Sequence, residues 1–98
     1  MTTKYITISA ALKELNKDPV KELRRRRIKG HRGQSTACPV FNYLKRRTNR
    51  KDFRVKGENC TSAMVIYDSG RLTRIPENVA NFISKFDAHE HHEFELPN

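Results

Sequence analysis

The apolar residues of this chain change their spacing twice, and nothing else in the sequence restricts the fold as strongly. Ile8, Ala11, Leu12 and Leu15 follow the i, i+3, i+4, i+7 spacing of an amphipathic helix. From Phe53 the pattern alternates instead. Phe53-Arg54-Val55-Lys56, residues 61–67 and Arg71-Leu72-Thr73-Arg74-Ile75 are strand-like, and Gly57-Glu58-Asn59 and Asp68-Ser69-Gly70 supply turns between them. At Val79, Phe82, Ile83 and Phe86 the helical spacing returns. The expected architecture is α+β: N-terminal helices, a three-stranded antiparallel meander, and a C-terminal helix laid across the sheet.

Between the first helix and the first strand, proline and glycine punctuate the chain. Asp18-Pro19 is a strong helix start, because Asp18 accepts from an orphan N–H and Pro19 needs no donor at the first position. The helix it opens is expected to reach about Lys29, burying Val20, Leu23 and Ile28, with Gly30 as its left-handed C-cap. Residues 30–37 read as a loop. Cys38-Pro39 starts another helix, with Val40, Phe41, Tyr43 and Leu44 on its buried side and Lys45-Arg46-Arg47 at its negative end.

A chain of 98 residues accommodates one modest core. A single basic domain is expected over residues 1–87. Residues 88–98 are an acidic, His-containing tail, either partly disordered or folded back over the basic face as an internal polyanion mimic. No apolar run approaches the roughly 18 residues a membrane span needs, and no long apolar signal core opens the chain, so a cytoplasmic protein with no membrane partner is expected.

Charge is the strongest functional signal. Formal net charge is +9, and 14 of the 20 Lys and Arg residues lie in two clusters, 21–32 and 45–56. Such clustering attracts polyanions. The candidate phosphate-contacting residues are Arg24, Arg25, Arg26, Arg27, Lys29, Arg32, Lys45, Arg46, Arg47, Arg50, Lys51 and Arg54. The helix carrying the four arginines lacks exposed Asn, Gln or Ser for base reading, so it suits phosphate positioning better than a recognition helix.

Other chemistries find little support. The loop at 30–37 lacks the spacing of a P-loop or a dinucleotide fingerprint. Cys38 and Cys60 are too few for a disulfide framework and are expected as thiols, Cys38 as a small buried cap. His31, Cys38, Cys60, His89, His91 and His92 show no metal-ligand spacing, so no metal or cofactor is expected.

Three segments carry a resemblance: Gly30-His31-Arg32-Gly33, Cys38-Pro39-Val40-Phe41-Asn42-Tyr43-Leu44, and Ile75-Pro76 through Phe82 to Phe86-Asp87-Ala88. Together they resemble a pattern in small uncharacterised proteins of actinobacteria and their phages, with a Gly-rich loop, a Cys-Pro helix, a short sheet and a final helix ending in Phe-Asp-Ala. The resemblance covers about two thirds of the chain and implies that fold order without implying an activity.

The leading functional expectation is a small nucleic-acid-binding or regulatory protein, phage- or plasmid-encoded, contacting DNA or RNA through phosphates. The alternative is a protein-binding module or inhibitor, including an anti-defence type, that docks on an acidic or nucleic-acid-binding surface of a host protein, with Phe41, Tyr43 or other exposed aromatics giving specificity. Third stands a metal-independent ribonuclease toxin, for which His31 and Tyr67 are the candidate groups. Paired carboxylates and Ser-His-Asp spacing are missing, so an enzyme is not the expected reading.

Overall fold

Thr7 opens the first helix by accepting from the Ala10 N–H at 3.1 Å, and α1 runs Ile8–Lys17 with Ile8, Ala11, Leu12 and Leu15 buried. The computed structural model describes residues 5–32, 36–56 and 63–96. Asp18 ends α1 and caps the next helix, accepting from the Lys21 N–H at 3.1 Å with Pro19 at the first position.

That helix, α2, spans only Pro19–Arg25. It closes four residues earlier than the position of Gly30 suggests. Arg27 donates to the Arg24 carbonyl, Ile28 donates to the Leu23 carbonyl, and Arg27 takes the left-handed conformation at φ 56°. This is a Schellman closure in which Ile28 and Leu23, both buried, make the hydrophobic contact. The burial of Ile28 outweighs the cost of a non-glycine residue at φ > 0.

Gly30 has a different role. It forms an isolated parallel bridge with Glu95: its N–H donates to the Phe94 carbonyl and its carbonyl accepts from Leu96, both at 2.9 Å. On its other side lies the start of the next helix. A Cβ on Gly30 would stand 2.4 Å from the Ala37 carbonyl oxygen and 2.5 Å from backbone atoms of Cys38 and Pro39. Close backbone approach, rather than a cap, is what requires glycine there.

Helix α3, Pro39–Thr48, begins at Cys38, whose Sγ accepts from the Phe41 N–H at 3.4 Å, and ends at Asn49 in the left-handed conformation. Burial pushes the Cys38 thiol up to about 11, although the backbone donors at Phe41 and Val40 act the other way. A thiol held protonated in this way serves as a cap and is a poor nucleophile. Cys60, with Gly33 and residues 57–62, lies outside the described residues.

The sheet has the meander order β1-β2-β3, with β1 Phe53–Lys56, β2 Met64–Tyr67 and β3 Leu72–Arg74, all antiparallel. Phe53 pairs with Tyr67 and Val55 with Val65, and these four side chains are buried. The β2–β3 turn closes with the Tyr67 N–H on the Arg71 carbonyl and Gly70 at φ 89°, a three-residue loop with glycine at its left-handed position.

The last helix, α4, Glu77–Asp87, buries Val79, Ala80, Phe82, Ile83 and Phe86. Its principal neighbours are α1 and α2, whereas α3 is the helix seated on the sheet at β1, where Phe41 meets Phe53 with ring centroids 4.8 Å apart.

The N-terminus of α4 has no side-chain cap of its own. Asn16, at the end of α1, supplies one from across the fold: its Oδ1 accepts from the N–H groups of Asn78 and Val79 at 2.9 and 3.3 Å, and its carbonyl accepts from the Asn78 amide at 2.8 Å. Asn16→Ala is therefore expected to lower the unfolding free energy by about 1 kcal/mol in urea titration, the usual worth of an N-cap. A loss no larger than that of an exposed Lys13→Ala change would show that the cap is not made.

After Asp87 the chain turns back. His91 stacks on Phe82, and a 3-10 turn at His92–Phe94 buries Phe94 edge-on to the same ring. Residues 88–96 are thus held by an aromatic anchor and by the bridge to Gly30.

Candidate functional site

The twelve cations singled out in the sequence separate into groups with different electrostatic partners. Arg25, Arg26 and Arg47 converge on Glu22, whose side chain is 13% exposed. Glu22 accepts from Arg25 at 2.7 Å, Arg26 at 2.9 Å, the Tyr43 hydroxyl at 2.9 Å and Arg47 at 3.3 Å. Arg47 also donates to Tyr43 at 2.7 Å and pairs with Glu14 at 2.6 Å. Burial raises the Glu22 pKa, but the hydrogen bonds from Arg25, Arg26 and Tyr43 and the charge of Arg26 outweigh it, leaving it at about 2. Burial likewise moves the Tyr43 hydroxyl up to about 12, helped by its bond to Glu22. This assembly ties α1, α2 and α3 together.

Three more arginines are held by carboxylates. Arg24 grips Glu93 through two bonds of 2.7 and 3.1 Å, Arg32 reaches Glu95 at 3.4 Å and meets the His89 ring, and Arg50 holds Asp52 at 2.6 and 2.8 Å. Hydrogen bonding from Arg24 lowers the Glu93 pKa, and that from Arg50 lowers the Asp52 pKa. The acidic tail thus lies on part of the first basic cluster. Arg54 projects from the outer face of β1, on the row it shares with Ile66 and Leu72.

The remaining five, Arg27, Lys29, Lys45, Arg46 and Lys51, come together. They line one open cleft of about 450 Å3 with Tyr5, Ile28, Asn42 and Asn49. The Schellman closure of α2 delivers Arg27 and Lys29, the exposed end of α3 delivers Lys45 and Arg46, and the left-handed turn at Asn49 brings Lys51 round. Each of the five is exposed, and no carboxylate is among the residues lining the cleft. Among the described residues none of the five forms a salt bridge, and Arg46 is tied only to the Arg26 carbonyl, at 3.0 Å. The two basic clusters therefore meet here, though with fewer members than their sequence counts.

Tyr5, Asn42 and Asn49 were not foreseen as part of the site. Asn49 carries a local signal, an asparagine directly after a basic helix end, where a left-handed residue is favoured. Tyr5 and Asn42 carry none, because only the tertiary fold brings them to the cations.

The two groups considered for ribonuclease chemistry sit in structural settings. The buried Tyr67 hydroxyl accepts from Thr73 at 3.2 Å, and its ring is faced by the Arg50 and Arg71 guanidinium groups at 5.1 and 5.7 Å. His31 lies half-buried in the α2–α3 connection, its N–H donating to the Ala37 carbonyl at 2.7 Å. Among the described residues no three His, Cys, Asp or Glu side chains gather as metal ligands, and no helix is long and apolar enough to cross a membrane.

Comparison with protein-family models, with curated proteins and with solved structures found no match.

Proposed function

We propose that this protein binds nucleic acid in the cytoplasm by seating phosphates in the cleft formed by Arg27, Lys29, Lys45, Arg46 and Lys51, as a small regulator of the kind that phages and plasmids encode. The supporting observation is the gathering of five cations around one concavity whose described lining includes no acid. Like charges brought together repel, and a fold spends stability on such an arrangement where a polyanion will neutralise it. The other candidate arginines contribute differently: Arg25, Arg26 and Arg47 are occupied by Glu22, and Arg24, Arg32 and Arg50 have carboxylate partners of their own.

Binding would release counterions from the nucleic acid, so affinity falls as salt rises. The slope is about 0.7 to 0.9 per phosphate, or roughly three to five for five contacts. The test is a Lys29→Glu, Lys45→Glu double variant against a control of equal charge, Lys13→Glu with Lys85→Glu, neither of which lines the cleft. The cleft variant is expected to lose at least about tenfold in affinity and to lower the salt slope by about two. Equal losses in the two variants would assign binding to net charge rather than to this site.

A second reading, an acidic host-protein surface as partner, draws on the outer sheet face. There Met64, Ile66 and Leu72 lie beside Arg54 and Arg74, and Leu72 is 53% exposed. An apolar strip edged by cations complements an acidic partner with an apolar centre. Failure to bind either DNA or RNA at about 50 mM salt would move the assignment to this face.

A further inference from the structure

The geometry points to single-stranded nucleic acid as the ligand of the basic cleft, with one unpaired base stacked on Tyr5 and recognised through an exocyclic amino group by Asn42. This deepens the phosphate-binding reading and rests on it.

Three observations carry the inference. The first is size: the open cleft, at about 450 Å3, falls in the range of small-ligand sites and has room for one nucleotide with its phosphate. The second is Tyr5. This residue is 53% exposed, lines a strongly cationic cleft, and follows directly before Ile6, whose N–H donates to the Arg47 carbonyl at 3.1 Å. An exposed aromatic ring beside phosphate-binding cations is the arrangement single-strand binders use, since every base offers a face to stack and only an unpaired base is free to do so.

The third is Asn42. Its amide nitrogen donates to the Lys29 carbonyl at 2.8 Å and to the Ala37 carbonyl at 3.3 Å. Both of its N–H donors are engaged, so what Asn42 has left to offer a ligand in the cleft is its carbonyl oxygen, an acceptor. An acceptor favours cytosine and adenine, which present an amino group on the edge away from the sugar, over uracil and thymine, which present a carbonyl there. The cations hold the strand and the asparagine selects among bases.

The experiment measures fluorescence anisotropy of labelled oligo(dC), oligo(dU) and a blunt duplex, each of about 12 nucleotides, with the wild-type protein, Tyr5→Ala and Tyr5→Phe. Tyr5 lies outside the core, and circular dichroism checks that each variant is folded. Oligo(dC) is expected to bind several-fold tighter than oligo(dU) and tighter than the duplex. Tyr5→Ala is expected to weaken single-strand binding roughly tenfold without changing the salt slope, and Tyr5→Phe to retain it.

Duplex binding as tight as oligo(dC), or full affinity in Tyr5→Ala, overturns the single-strand inference and leaves the phosphate reading standing, because that reading needs only the cations. Equal affinity for oligo(dC) and oligo(dU) overturns the role given to Asn42. No binding to any of the three, nor to oligo(rC) run beside them, overturns the inference together with the reading beneath it.

Discussion

Replacing Gly30 with alanine is expected to destabilise the fold by about 3 kcal/mol, at the upper end of what overpacking costs. The added methyl would stand 2.4 to 2.5 Å from the Ala37 carbonyl oxygen, the Cys38 carbonyl carbon and the Pro39 nitrogen. These are backbone atoms at the start of α3, a helix with buried side chains along its length, so no rotamer change relieves the clash. Either α3 shifts or residue 30 withdraws and gives up its bridge to residues 94–96. Gly70→Ala is the natural comparison. At Gly70 nothing lies within 4 Å of the new methyl, and the only penalty is its φ of 89°, which costs about 1 kcal/mol. Thermal melts should separate the two variants by about 10 °C. If the Gly30 variant melts no lower than the Gly70 variant, Gly30 is not the packing constraint described above.

The second large effect concerns Glu22. Glu22→Gln keeps the shape of the side chain but removes the charge shared by Arg25, Arg26 and Arg47. The fall in its pKa from 4.5 to about 2 corresponds to roughly 3 kcal/mol of coupling between ionisation and folding. Water reaches the cluster through Arg25, 63% exposed, which reduces the expected loss to about 2 kcal/mol at neutral pH. The folded-state pKa lies below the unfolded one, so this stabilisation is complete above about pH 4.5 and disappears as pH falls toward about 2. Denaturant titrations at pH 7, 4 and 2.5 should therefore show the difference between wild type and Glu22→Gln shrinking as the pH is lowered. A difference that stays constant over that range would mean that Glu22 contributes shape and not charge.

The elements of the fold were legible because they rest on local periodicity. The spacing at Ile8 to Leu15 and at Val79 to Phe86, the Asp18-Pro19 and Cys38-Pro39 starts, and the Asp68-Ser69-Gly70 turn each act within a few residues. What was not legible depends on contacts distant in sequence. Gly30 reads as a helix cap until residues 94–96 and 37–39 are seen on its two sides. The N-terminal end of α4 depends on Asn16, reached from across the fold.

The site follows the same division. Counting Lys and Arg along the chain identified the clusters, but a count does not say which charges are already neutralised. Glu22 at three and four residues from Arg25 and Arg26 was a local hint, since that spacing places them on one helix face. The pairing of Arg47 with Glu14 and Glu22, and of Arg24 with Glu93, required the tertiary fold. Seven of the twelve candidates lie outside the cleft for reasons of this kind, Arg54 because strand alternation turns it to the outer face of the sheet.

The bridge between Gly30 and Glu95 also bears on how the protein is made. Its two partners are about 65 residues apart, so during translation the connection that carries Arg27 and Lys29 waits, without its partner strand, until residues 94–96 have left the ribosome. The N-terminal helices can form early from local signals, whereas one wall of the cationic cleft acquires its support only once residues 94–96 have emerged. A local signal thus starts this wall of the cleft, and a contact about 65 residues away completes it.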